Sequence, residues 1–451
     1  MILNKTEILN FLTLNSDQKS IIHRYLCKIE QKDLPSLFEQ SFLPGKDVFY
    51  FSKPNKNYSF LAIGHLIQNE PEVNSLSFNS NQMHSSAILY NMVPPEDLKI
   101  PLYIGSQKFA GDRKESIWKD FEQREWFIPK IILLNCDETY YLILNFLPDE
   151  SDLSFLDRFD YLLNEKDDFE RHSSLQSKLE IDNDSAAWIS NVNHYLDDIR
   201  SKKIEKVVLA RRVTRELLQF SYPSALHELQ VKYPACFIFA YKKNGSVFFG
   251  ATPEKLFSLD NGHLETEAVA GSSRRGNNTQ EDLELEQKLL SDTKELKEHE
   301  NVVNFIKANL TELVKNLVIS EKSGIKKLNN IQHIQTSISA DVKAGINILD
   351  IVKSVHPTPA VCGLPQKDAF DLIDKTEKFD RGLYSGVLGW FDDKQNGEFV
   401  VGIRSALVAG KTLYAYAGCG IVEGSDPVSE YKETELKLKP ILSLLNNEIA
   451  S

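Results

Sequence analysis

The sequence of 451 residues has little cysteine, no excess of basic charge and no long apolar run. Its five cysteines, Cys27, Cys136, Cys236, Cys362 and Cys419, are odd in number, scattered and never spaced as CxxC. That pattern speaks against a disulfide framework or a zinc site and for a reducing cytoplasm. The 52 Lys plus Arg stand against 64 Asp plus Glu, a net charge of −12. Nucleic acids and anionic membranes are recognised by clustered Lys and Arg, so neither is expected as the main partner; a small anionic substrate stays open. No stretch approaches the roughly 18 apolar residues of a membrane span. The amino terminus, MILNKTEILNFLTLNSDQK, interrupts its apolar residues at Asn4, Lys5 and Glu7, unlike a secretory signal. Hydrophobic residues make up 42% of the chain, enough for two lobes or one large core.

Residues 1–180 alternate short apolar runs with polar loops. SLFEQSFLPGKDVFYFS, YSFLAIGHLI and WFIPKIILLNCDETYYLILNFL read as strands with turns between them. An acidic stretch, LLNEKDDFERHSSLQSKLEIDNDS, reads as a linker. The chain turns helical at WISNVNHYLDDIRS, where Trp188, Val192, Tyr195, Leu196 and Ile199 recur at helical spacing. KVVLARRV is a strand, and Asn244-Gly245 and Asn261-Gly262 mark hairpins between alternating runs. A long helix is expected from about Gln280 to Val314, and FVVGIRSALVAGKTLYAYAGCGIV is a further antiparallel pair. Hairpins rather than βαβ crossovers imply an α+β fold, with large antiparallel β-sheets flanked by helices.

Two glutamate pairs carry the strongest chemical signal. Glu295 and Glu298 in DTKELKEHENVV, and Glu430 and Glu433 in SDPVSEYKETELKLK, are each three apart, so each pair projects from one helix face. Asp426 as cap and Pro427 at the first helical position start the second helix, and Lys437 lies four residues beyond Glu433. Brought together, four carboxylates would repel unless a cation sat among them, and oxygen donors favour Mg²⁺; spacing alone favours two solvated faces of an acidic protein. In HPTPAVCGLP, two prolines could hold His356 and Thr358 at fixed positions, or simply shape a loop. The glycines of GCGIV allow close approach to backbone N–H groups or form a plain turn. Arg404 falls inside the apolar run FVVGIRSALV, where an inward guanidinium needs an anionic partner.

The order and wording of nine segments resemble the chorismate-utilising enzymes, the family that includes isochorismate, anthranilate, aminodeoxychorismate and salicylate synthases. These segments are KVVLAR, FFGATPEKLFSL, ETEAVAGSSRRG, DTKELKEHENVV, IQHIQTSI, VHPTPAVCGLP, FDRGLYSGVLGWFD, EFVVGIRSALV and AGCGIVEGSDPVSEYKETELK. The resemblance covers about residues 185–440. It implies a chorismate-binding fold of the anthranilate synthase component I type, with 1–180 as its divergent amino-terminal half and 181–451 as the catalytic region. It also implies that Glu298 and Glu433 bind Mg²⁺ directly while Glu295 and Glu430 hold its waters. Arg404 and the Gly418 N–H would take the enolpyruvyl carboxylate of chorismate; Lys437 would lie near the metal-bound carboxylate, Gly271 and Ser272 would close that side, and His356 and Thr358 would join the substrate site.

Within this family the nucleophile that attacks ring carbon 2 decides the product. Isochorismate synthases use water, activated by a lysine in the first strand, and a glutamate of the (S/T)PE segment protonates the departing carbon-4 hydroxyl. The resemblance places Lys206 of EKVVLAR as that base and Glu254 of ATPE as that acid. A free lysine has a pKa of about 10.4 and is a poor base at neutral pH until its surroundings lower it. Anthranilate synthases typically carry glutamine at the position of Lys206, and aminodeoxychorismate synthases a lysine at that of Ala270. The implied activity is therefore chorismate isomerisation without an amidotransferase subunit. The alternatives are a salicylate synthase, which adds loss of pyruvate, an ammonia-using lyase, and a non-catalytic relative, against which the complete glutamate set speaks. Ala251-Thr252 before PE and Cys419 in GCGIV depart from the usual wording but conserve size.

Overall fold

The Asn-Gly turns form where the alternation predicts them. Phe237–Lys243 and Ser246–Thr252 pair antiparallel around Asn244, and Lys255–Asp260 and His263–Arg274 pair around Asn261, with both asparagines at positive φ. Arg124–Cys136 and Thr139–Phe146 form another hairpin, turning on Asp137 and Glu138 at φ 48° and 64°. The computed structural model describes residues 4–15, 22–68, 88–110, 116–148, 150, 152–164, 176–177, 185–329 and 331–445. Among them are ten α-helices, and all strand pairings are antiparallel except Ile22–Ile29 with Ile88–Tyr90.

Two sheets share the long strand Arg124–Cys136. Its carboxy-terminal part pairs with Tyr58–Gln68 and leads through Val48–Lys53, Phe237–Lys243, Ser246–Thr252, Ser405–Ala409 and Thr412–Ile421 to Lys206–Gln219. Its first residues pair with Tyr103–Gln107 and lead through Val387–Phe391, Gly397–Val401, Lys255–Asp260 and His263–Arg274 to Ile331–Val342. In both sheets a block of strands from before residue 180 is thus continued edge to edge by a block from after it, joined at Val48–Lys53 with Phe237–Lys243 and at Tyr103–Gln107 with Val387–Phe391. An aromatic-rich core lies between the sheets, including Phe49, Phe60, Tyr241, Phe248, Trp390 and Tyr416. A second core forms under Pro427–Leu442 and its neighbours, and a third under Thr293–Leu310 and Ile348–Val355. The Ser185–Arg200 helix buries Trp188, Val192, Tyr195, Leu196 and Ile199, the face its periodicity predicts.

Three expectations need correction. SLFEQ is helical, within Leu34–Gln40, because Asp33 and Pro35 start a turn there, and the strand begins only at Val48. The long helix is two helices, Thr279–Ser291 and Thr293–Leu310: Asp292 ends the first and caps the second, accepting from the Lys294 and Glu295 N–H groups. FVVGIRSALV is not one strand, since Gly397–Val401 and Ser405–Ala409 are separated by a break in which Arg404 takes φ 49°. The linker read over 162–185 lies largely outside the described residues; its first residues end the Phe155–Asn164 helix, and Gln176–Ser177 pairs with the Lys206–Gln219 strand.

One buried ion pair ties the site strand to the sandwich. Arg381 donates to both oxygens of Glu377, to the Val208 carbonyl and to the Val361 carbonyl, while Glu377 accepts the Ala210 N–H. Both side chains are 2% exposed. Glu377→Ala should strand the guanidinium and destabilise the protein by roughly 3–5 kcal/mol, read by urea denaturation; a change within about 0.5 kcal/mol would show the charge reaching water.

Candidate active site

Each glutamate pair sits in the first two turns of its helix because a capping aspartate starts that helix just before it. Asp292 caps Thr293–Leu310, and Asp426 caps Pro427–Leu442 by accepting from the Ser429 N–H. The amino-terminal ends of both helices carry partial positive charge, which favours carboxylates there. The two faces meet across an open cleft of about 860 Å³ that both sheets help to line.

The cleft gathers most of the residues read from the sequence: Glu254, Gly271, Ser272, Glu295, Glu298, Arg404, Gly418, Glu430, Glu433 and Lys437 all line it. Lys206 is 1% exposed and stands behind Gly420, its Nζ 2.8 Å from Glu298 Oε1. A Cβ at Gly420 would lie 2.8 Å from both Glu298 Oε1 and Lys206 Cε, so the glycine leaves the room this pair occupies. Gly271 sits at a bulge in its strand with φ +75°, which lets the Ser272 N–H reach Glu295 Oε2 at 2.9 Å. Lys437 Nζ pairs with Glu433 at 2.6 Å and donates to the Gly418 carbonyl at 3.0 Å.

Besides Lys206, two sequence candidates stand back from the cleft. His356 is buried, does not line the cleft, and bonds through Nε2 at 2.8 Å to the carbonyl of Ser385, which does. Thr358 lines a smaller cavity of about 400 Å³ that also borders Glu254. The sequence reading missed Lys294, His333, Tyr384 and Ser385, all of them on the cleft wall. Lys294 lies 3.1 Å from Glu430 and 3.5 Å from Glu295. His333 approaches Ser272 Oγ at 3.0 Å and Arg404 at 3.5 Å. The segments IQHIQTSI and FDRGLYSG hold His333 and Tyr384, but nothing in their spacing distinguishes a cleft residue from a core one.

Charge governs this cleft. Burial and the neighbouring Glu298 push the Glu295 carboxyl up to about 7, and burial with Glu433 raises Glu430. Burial alone would also raise Glu433, but the Lys437 ammonium more than offsets it and the carboxyl is held below its ordinary value. Burial, with the Arg404 and Lys437 charges, drives His333 down to about 3, so its imidazole is neutral. Burial pushes Glu254 up to about 7 against the opposing charge of Lys326. Carboxylates raised by burial and by one another, in an all-oxygen donor set, fit a hard divalent cation. A separate group, Asp47, His65 and Glu125, brings its ligand atoms within 4.8 Å of one another, but it lies outside the cleft and the Lys243 ammonium already contacts both of its carboxylates.

The whole architecture has known counterparts. The family model described as "Chorismate binding enzyme" matches residues 7–446, and the chain belongs to that family. An isochorismate synthase of Bacillus subtilis, MenF, is 34% identical over 77% of this chain and 75% of its own length. The salicylate biosynthesis isochorismate synthase of Pseudomonas aeruginosa is 38% identical over 57% of this chain, which spans 54% of that protein. The solved structure of MenF, the menaquinone-specific isochorismate synthase of Escherichia coli, superposes with a TM-score of 0.79 at 23% identity, covering 98% of this chain and 99% of that one. Among the described residues no helix is long and apolar enough to cross a membrane.

Gly420→Ala should force Lys206 and Glu298 apart. Turnover of chorismate is expected to fall roughly 100-fold with the thermal midpoint little changed; unaltered turnover would mean that the pair has room to shift.

Proposed function

We propose that this protein is an isochorismate synthase, a Mg²⁺-dependent isomerase that converts chorismate to isochorismate. The observation that carries the reading is a buried lysine in contact with Glu298 and a half-buried carboxyl, Glu254, raised to about 7, at a cleft lined by four further glutamates. An isomerisation that exchanges one hydroxyl for another needs one group to take a proton from water and another to give a proton to the leaving oxygen. Relatives that share a third or more of their aligned residues with this chain carry the same activity in their names.

Lys206 takes the proton of a water that bonds to ring carbon 2. Both ring double bonds shift, from carbons 1–2 and 5–6 to carbons 1–6 and 4–5, the carbon-4–oxygen bond breaks, and the hydroxyl leaves as water with the proton of Glu254, so a water enters and a water departs. Arg404 and Gly418 receive the enolpyruvyl carboxylate, Gly271 and Ser272 close one side, Lys437 stands beside Glu433, and His356 and Thr358 support the wall from behind. Glu298 and Glu433 would hold Mg²⁺ directly, with Glu295 and Glu430 holding its waters. Bound there, the ion supplies the positive charge that receives the ring carboxylate. Clamping both anionic ends fixes the ring against the acid and the base. No amidotransferase subunit is required, because water is the nucleophile. Five unpaired cysteines suit the cytoplasm as the place of work.

Incubation with chorismate and Mg²⁺, then chromatographic separation of the products, tests this reading. Isochorismate should dominate, and EDTA should abolish its formation until Mg²⁺ is restored. Anthranilate formed with ammonium would move the protein to the lyases, and salicylate would add a pyruvate-elimination step. Lys206→Ala should make no isochorismate; a near wild-type rate would require another base. Glu254→Gln should keep chorismate binding but lose about 100-fold or more in kcat. Normal turnover by that variant would place the proton donor elsewhere.

A further inference from the structure

The loop that presents Glu254 is held from behind by a charge pair that does not line the main cleft. Pro253 and Glu254 join the strands Ser246–Thr252 and Lys255–Asp260, and Glu254 borders both the main cleft and the smaller cavity. Two ordinary bonds shape the loop: the Glu254 N–H donates to Thr252 Oγ1 at 3.2 Å, and the Glu254 carbonyl accepts from the Val401 N–H at 3.0 Å. Pro253 has no N–H to offer, so only its carbonyl can anchor it. That carbonyl accepts from Lys326 Nζ at 2.6 Å.

Lys326 is itself fixed. Its ammonium pairs with one carboxylate oxygen of Glu267, and the Gln335 amide donates to the other. The Lys326 and Glu267 side chains are 18% and 10% exposed, so the pair is largely shielded from water. Lys326 lies on Gly324–Lys327 and Glu267 on His263–Arg274, and both strands pair with Ile331–Val342, which carries Gln335. The result is a polar crosslink from the second sheet to the residue directly before Glu254. Lys326, Glu267, Lys206, Lys437 and Arg404 are the charged groups acting on the Glu254 carboxyl, and Lys326 acts most strongly of these.

We propose that Lys326, anchored by Glu267, is the positioning residue of the proton donor: it fixes the Pro253 carbonyl and thereby the direction in which Glu254 faces the cleft. This rests on reading Glu254 as the acid. Neither Lys326 nor Glu267 lines the main cleft, so the effect passes through the loop rather than through contact with substrate.

A double-mutant cycle in the full-length enzyme, with chorismate and Mg²⁺ and isochorismate as the measured product, tests the proposal. Lys326→Met should lower kcat roughly 10- to 100-fold while the KM for chorismate and the Mg²⁺ dependence stay within about twofold. Glu267→Gln, which keeps the shape but frees the ammonium, should show a smaller loss in kcat alone. In a Glu254→Gln background, Lys326→Met should cost no more than about twofold further, because the donor it positions is gone. Losses that multiply in the double variant, or a Lys326→Met enzyme at wild-type kcat, overturn the proposal while leaving Glu254 as acid. If Lys326→Met does not fold, Glu267→Gln decides the cycle by the same criterion. A Glu254→Gln enzyme at wild-type rate would instead overturn the acid assignment, and this inference with it.

Discussion

Four carboxylates facing one cleft form the constraint on which the rest of this site depends. Like charges a few ångströms apart in a half-buried place repel strongly, and the protein meets that repulsion with cations of its own. Lys206 pairs with Glu298, Lys437 with Glu433, and Lys294 with Glu430 and Glu295, while Arg404 stands buried on the same wall. Four carboxylates against three ammonium groups and one guanidinium leave the cleft near neutrality before any metal or substrate enters. Burial, and then the neighbouring glutamates, still raise Glu295 and Glu430, and a divalent cation among the four carboxylates would favour their charged forms.

The backbone departs from regularity at the same places. Gly271 bulges its strand so that the Ser272 N–H meets Glu295, Arg404 interrupts a strand pair at positive φ, and Gly420 clears space for Lys206. Loops and bulges can aim a side chain where a regular ladder would turn it to one face or the other. The large sandwich behind them supplies rigidity: the Arg381–Glu377 pair locks the Lys206 strand to the Val361 segment, and the Lys326–Glu267 pair locks the Glu254 loop to the second sheet. The proposed proton donor and base are thus each carried by a strand or loop fastened from outside the cleft.

The sequence by itself determined the hairpins, the buried face of Ser185–Arg200 and the two EXXE faces, because each depends on neighbours within a few residues. An Asn-Gly pair, a helical period and an i, i+3 spacing are local, and the local choice agrees with the fold. The ordered family wording then located Lys206, Glu254 and Arg404, which spacing alone could not separate from surface residues. Only the tertiary structure decided which faces meet. The retreat of His356 behind Ser385 and the gathering of Lys294, His333 and Tyr384 on the cleft wall follow from contacts between distant segments. So does the grip of Lys326 on Pro253, 73 residues away in the chain. The Asp292 cap that splits one helical run into two is instead local, and is passed over within an otherwise helical pattern. Side-chain charge and burial are properties of an assembled neighbourhood, and no window of sequence contains that neighbourhood.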